Sequence, residues 1–232
     1  MTEYSKAHFA FKPIIRGMMI AKSKELFPIG KVYCIGRNYT DHAKEMGGMV
    51  DEDQPFFFSK PPQSVTQLSS IPFPTQTDNL HHEVELVVFL KSECSNISPR
   101  EASQHIFGYA VGVDLTKRDL QAAAKESGKP WDLSKGFDYS APISKIQKKE
   151  EFLLRDGSIS LSVNGQKKQS SNLQNMSWKV DEIISWLSKF ITLNAGDIIF
   201  TGTPSGVSKL SPNDKIEAEI ENVGTLFFKL TK

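Results

Sequence analysis

Only two cysteines, Cys34 and Cys94, occur in 232 residues, and they stand in no metal-type spacing. That excludes a disulfide scaffold and fits a reducing compartment, with the cytoplasm as the default expectation. Net charge is almost absent: 28 Lys and Arg against 27 Asp and Glu give +1. The balance removes the electrostatic case for nucleic acid or an anionic membrane as the main partner. No run approaches the roughly 18 apolar residues of a membrane span, and the opening "MTEYSKAHFAFKPIIRG" lacks the compact apolar core of a secretory signal. Also missing are an internal repeat, a low-complexity linker, a Walker or dinucleotide fingerprint and a G-x-S-x-G elbow. Basic runs such as Lys148-Lys149 and Lys167-Lys168 read as solvated loops.

What is present is a chain long enough for one globular unit with a substantial core. Residues 1–26 read as an extended arm and 27–232 as a single domain. "KVYCIG" and "PFFFSK" are strand-like, the second with a proline at its start, where a missing N–H is tolerated. "SPREASQHIF" offers Ser98 as N-cap, Pro99 at the first helical position and Glu101 closing a capping box. "GYAVGVD" returns to strand, and a helix through "TKRDLQAAAKESG" ends near Gly128. Ile159, Leu161 and Val163 alternate before Asn164-Gly165, a hairpin signal. Val180, Ile183, Ile184, Leu187 and Ile191 recur at helical period, forming a packing stripe. A terminal hairpin turns near Asn222 to Gly224. Many short strands with three or four helices, and no regular βα alternation, predict a β-rich α+β fold.

The chemistry concentrates in a few stretches. Read as one strand, "HHEVELVVFL" puts His81, Glu83, Glu85, Val87 and Phe89 on one face, the two carboxylates roughly 7 Å apart. The face begins charged and continues apolar, so the carboxylates sit either at a solvated strand end or at the rim of a core. Like charges at a core rim require a cation. Asp114, after "YAVGV", is a third candidate, or else an N-cap for the helix that follows. Three convergent carboxylates would make an oxygen-only site suited to Mg²⁺, Mn²⁺ or Ca²⁺ rather than zinc. His81 and His82 could suggest zinc, but Leu86 stands where an H-E-x-x-H motif needs its second histidine.

In "GRNYTDHAKEM", His42 and Glu45 are three residues apart and share a helical face. A carboxylate beside an imidazole orients it and raises its basicity, the arrangement of a general base, although such pairs also occur on ordinary helix surfaces. Arg118 and Gln121 lie one turn apart after Asp114, and Lys135 stands in "WDLSKGFDYSAP". The loop "TGTPSGV" offers backbone N–H groups and the Thr203 hydroxyl to an anionic group.

Taken in order, "GRNYTDHAKEM", "PFFFSKP", "HHEVELVV", "GYAVGVDLTKRDLQ", "KPWDLSKGFD", "LSVNGQ" and "AGDIIFTGTPSGV" closely resemble the fumarylacetoacetate hydrolase family, from about Phe27 to the C-terminus. The likeness is greatest to its short bacterial acylpyruvate and fumarylpyruvate hydrolases. The resemblance implies a mixed β-sandwich roll, a homodimer, and a divalent metal, Mg²⁺ or Mn²⁺ with Ca²⁺ as a substitute in vitro. Its ligands fall on Glu83, Glu85 and Asp114, its water-activating dyad on His42 and Glu45, and its catalytic lysine on Lys135. Substrate contacts fall on Arg37, Arg118, Gln121 and Thr203. The long family members carry an extra N-terminal domain and a further carboxylate ligand; around Cys34 to Gly36 there is no acid to match that ligand. The expected reaction is therefore metal-dependent hydrolysis of a C–C bond in a 2,4-dioxo acid such as fumarylpyruvate, in aromatic catabolism, rather than of fumarylacetoacetate itself. The alternative is decarboxylation or tautomerisation of oxaloacetate or a related acid.

Overall fold

Two patterns of burial along the strands organise the chain into two sheets. The structure is a computed structural model that describes residues 11, 16–51, 53–151, 154 and 156–232. One sheet has six strands in the order Gln147–Lys148, Ile106–Val113, Val84–Leu90, Ile198–Phe200, Val32–Gly36 and Phe56–Lys60. The other has five: Gln166–Asn172, Ser158–Val163, Lys215–Ile220, Gly224–Thr231 and Ser70–Pro72. Every residue of Val84–Leu90 is buried, because both faces of its sheet are covered. Val84, Leu86, Val88 and Leu90 enter the larger core with Ile159, Ile216 and Phe228 of the second sheet; Val87 and Phe89 enter a smaller one with Phe27 and Phe200.

The five-stranded sheet is half solvated. Along Lys215–Ile220, Ile216, Ala218 and Ile220 are buried while Lys215, Glu217 and Glu219 are exposed. Asn164 and Gly165, at φ of 51° and 80°, make the primed turn that matches strand twist. Helix Val180–Phe190 closes the larger core with Ile183, Ile184 and Leu187. The fold is a β-rich α+β architecture, with five α-helices among the described residues. The one-turn helix Asp132–Lys135 is the one that local sequence does not announce.

Two expectations need correction. Gly17–Met19 pairs with Leu26–Pro28 as an antiparallel hairpin, and Ile20 is buried in the smaller core beside Phe27, which stacks edge-on against Phe89 at 5.2 Å, so this part of the predicted arm is packed. Residues 1–10 and 12–15 of that arm lie outside the described residues. "HHEVELVVFL" is also broken: Leu80–His81 pairs with Thr116–Lys117, and the long strand begins only at Val84. The cause is a side chain in place of a strand, since the Val84 N–H donates to Gln169 Oε1 at 3.0 Å.

Candidate active site

Three buried carboxylates converge at one end of the six-stranded sheet. Glu85 lies in Val84–Leu90, Glu83 just before it, and Asp114 just after the antiparallel neighbour Ile106–Val113, where Glu85 pairs with Gly112. One oxygen from each lies within 4.8 Å of the others. Asp114 is not the N-cap of the following helix; Lys117 holds that position.

Cations offset two of the three. Lys135 donates all three ammonium N–H groups, to Glu83 Oε2 at 2.8 Å, Asp114 Oδ2 at 2.6 Å and Thr116 Oγ1 at 2.7 Å. Lys60, wholly buried, reaches Asp114 Oδ1 at 2.8 Å and is itself held by Ser140 Oγ at 2.9 Å and the Lys135 carbonyl. Arg118 bridges Glu83 Oε1 and Gln121 Oε1, the latter at 2.6 Å. Burial disfavours the Glu83 charge, but Lys135 and Arg118 hold its carboxyl well below the usual range. Glu85 forms no ion pair among the described residues. Burial, with Asp114 and Glu83 beside it, pushes its carboxyl well above the usual range, and the Gly202 N–H at 2.7 Å relieves this only in part.

That arrangement fits a metal. The donors are hard oxygens, they converge from three buried side chains, and one lacks a counter-cation, a set that suits a hard divalent ion better than zinc. His82 is no ligand here: its ring nitrogens meet Gln169 Oε1 and Ser208 Oγ, each at 2.9 Å.

Beside the triad, helix Thr40–Glu45 presents His42, whose Nδ1 lies 3.2 Å from Glu45 Oε2. A carboxylate can only accept, so neutral His42 carries its proton on Nδ1 and leaves Nε2 as a free base. Glu45 is anchored in turn by the Gly206 N–H at 3.1 Å, so the "TGTPSGV" loop steadies the dyad. Asn38 ties the base of this segment to Trp178 and Thr201 through three hydrogen bonds of 2.7 to 3.0 Å.

A cleft of about 40 Å³ gathers Arg37, His42, Glu83, Glu85, Asp114, Arg118, Gln121, Lys135 and Thr203, every predicted site residue except Glu45, which stands behind His42. An adjoining cavity of about 200 Å³ shares Arg37 and Trp131 with it and is walled by Met49, Phe56 and Trp178. Sequence reading missed Lys60, Gln169 and Asn38. Lys60 left a trace: in "PFFFSK" it is a charge at the period-2 position that follows Phe58. Gln169 left none, since "QKKQSSN" is polar throughout.

Fold and centre together define a class: β-rich proteins with a buried acidic centre that could hold a divalent ion. The comparisons narrow it. The profile described as "Fumarylacetoacetate (FAA) hydrolase C-terminal" matches residues 31–231, and the chain belongs to that family. A fumarylpyruvate hydrolase from Ralstonia sp is 39% identical over 184 residues, 78% of this chain and 96% of that protein. The oxaloacetate tautomerase YcgM of Escherichia coli K12 is also 39% identical, over 82% of this chain and 88% of its own length. The crystal structure of fumarylpyruvate hydrolase from Pseudomonas aeruginosa in complex with Mn²⁺ and pyruvate superposes with a TM-score of 0.93. It is 38% identical and covers 97% of this chain and 99% of that one.

Proposed function

We propose that this protein hydrolyses the C3–C4 bond of a 2,4-dioxo acid, an acylpyruvate such as fumarylpyruvate, to pyruvate and a carboxylic acid. The observation that carries the reading is His42, backed by Glu45, lining the same cleft as the carboxylate triad. Cleavage without a water nucleophile would not call for a base held in this way. Glu83, Glu85 and Asp114 would hold Mg²⁺ or Mn²⁺, which would supply Lewis acidity to the dioxo acid.

The rest falls to side chains of this chain. His42 Nε2 takes a proton from water, whose oxygen attacks C4. As the tetrahedral carbon collapses, the C3–C4 bond breaks, its electron pair passes into pyruvate enolate, and the acyl group leaves as the acid. The imidazolium returns its proton to C3. Lys135, with every N–H already engaged, acts on the developing negative charge through its field rather than by a new hydrogen bond. Thr203 and Gln121 would receive the oxyanion or the distal group. Arg37, at the junction of cleft and cavity, is suited to a distal carboxylate.

A second reading has its own support: a base able to move a proton at C3 would also interconvert the keto and enol forms of oxaloacetate, and the E. coli relative is named for that activity. One experiment separates them. Mn²⁺-loaded protein and its His42→Ala variant are assayed on fumarylpyruvate for pyruvate, and on oxaloacetate for enol absorbance and CO₂. Hydrolysis predicts pyruvate release that falls about 10²- to 10⁴-fold in the variant; release unchanged in the variant, or seen with neither protein, defeats it. The family resemblance also carries the expectation of a homodimer in the cytoplasm, checked by light scattering and fractionation.

A further inference from the structure

Gln169 stands on Gln166–Asn172, in the sheet that otherwise supplies only packing, and is wholly buried. Its amide makes four contacts. Oε1 receives the Val84 N–H at 3.0 Å and faces His82 Nδ1 at 2.9 Å; Nε2 donates to Thr203 Oγ1 and to the Pro204 carbonyl, both at 2.8 Å. A backbone N–H can only donate and a carbonyl can only accept, so the two ends of the amide cannot be exchanged. It follows that His82 carries a proton on Nδ1, and in the neutral ring Nε2 then accepts from Ser208 Oγ at 2.9 Å.

The consequence falls on Thr203, which is 2% exposed and lines the cleft beside the triad. The NH₂ of Gln169 cannot accept a proton, so Thr203 Oγ1 is the acceptor of that contact and its own hydrogen remains to be donated. Thr203 Oγ1 makes no other hydrogen bond among the described residues. A buried O–H without an acceptor is costly, and the cleft is where the acceptor can arrive.

We propose that Gln169 is a positioning residue that makes the Thr203 hydroxyl an obligate hydrogen-bond donor to an acceptor oxygen of the bound substrate: a carboxylate, a carbonyl or the oxyanion. The proposal rests on the functional reading above only for the identity of that substrate. Gln169→Glu is nearly isosteric and reverses the polarity, because a carboxylate would take the Thr203 proton for itself.

The test is a double-mutant cycle on Mn²⁺-loaded full-length protein with fumarylpyruvate, using Gln169→Glu, Thr203→Val and the pair. Each single change should lower kcat/KM by about 10- to 100-fold, and the pair should be no worse than the poorer single. Thr203→Ser should restore turnover with Gln169 in place and fail to do so beside Gln169→Glu. Losses that multiply in the pair overturn the proposal. Should Gln169→Glu not fold, the unaltered residue answers: in protein labelled with ¹⁵N-glutamine, the Gln169 side-chain amide should exchange slowly and shift on Thr203→Val. An amide that exchanges fast and ignores that change overturns it. If the unaltered protein turns over neither fumarylpyruvate nor oxaloacetate, the functional reading fails on its own, and the amide signal still decides whether Gln169 holds Thr203.

Discussion

The two sheets solve different problems with the same backbone. In the five-stranded sheet, strand Lys215–Ile220 keeps its charges in water and only its apolar side chains inside. In the six-stranded sheet, Glu85 and Lys60 are each about 2% exposed, and Asp114 is fully buried at the end of a strand. Buried charges persist only when paired, and here Lys60, Lys135 and Arg118 face the carboxylates from three different segments. The lesson is that coverage on both faces lets a sheet hold ionic chemistry. The half-solvated sheet lends the site a single neutral amide.

This contrast can be attacked from either side. The largest effect should come from Lys60→Met, which leaves Asp114 Oδ1 without its cation; urea unfolding of metal-free protein should show a loss of about 3–5 kcal/mol. Ile216→Ala in the second sheet should cost about 2–5 kcal/mol in the same measurement and leave Mn²⁺ affinity by calorimetry unchanged. If Mn²⁺ affinity fell equally in both variants, the division of labour between the sheets would be wrong. Chelation by EDTA should end turnover while far-UV circular dichroism stays as it was, with a melting temperature lowered in proportion to the lost binding free energy. Unfolding on chelation would instead make the ion a structural one. Gly165→Ala, at φ 80°, should cost about 1 kcal/mol and nothing in catalysis.

The smallest effect belongs to the helix Pro99–His105. The Ser98 N–H and hydroxyl hold the Glu101 carboxyl below its ordinary range, so its contribution is present above the unfolded value and is lost as pH falls through the lower folded one. NMR titration should find Glu101 more acidic than a free glutamate; a value at or above the ordinary one would remove the capping-box contact.

Legibility followed the range of the forces involved. The capping box at Ser98 and the Asn164-Gly165 turn emerged where they were expected, as did the helical stripe of Ile183, Ile184 and Leu187, because each is fixed by neighbours within a few residues. His42 and Glu45 were legible for the same reason, being one helical turn apart. The single strand read through His81–Leu90 failed because a side chain 85 residues away, Gln169, occupies Val84. The packed hairpin Gly17–Pro28 was missed because its signal lies in contacts with Phe89 and not in its own pattern.

By itself, then, the sequence determined the local pieces: alternation, caps, turns, and which side chains can take up protons or ligate an ion. Only the tertiary structure decided that Glu83, Glu85 and Asp114 share one pocket, that Lys60 and Lys135 divide the two oxygens of Asp114, and that Gly202 and Gly206 hold Glu85 and Glu45 across 117 and 161 residues. Local propensity acts over a turn or a strand, whereas the energies that set these contacts arise only when distant segments are buried against each other and must satisfy one another's charges.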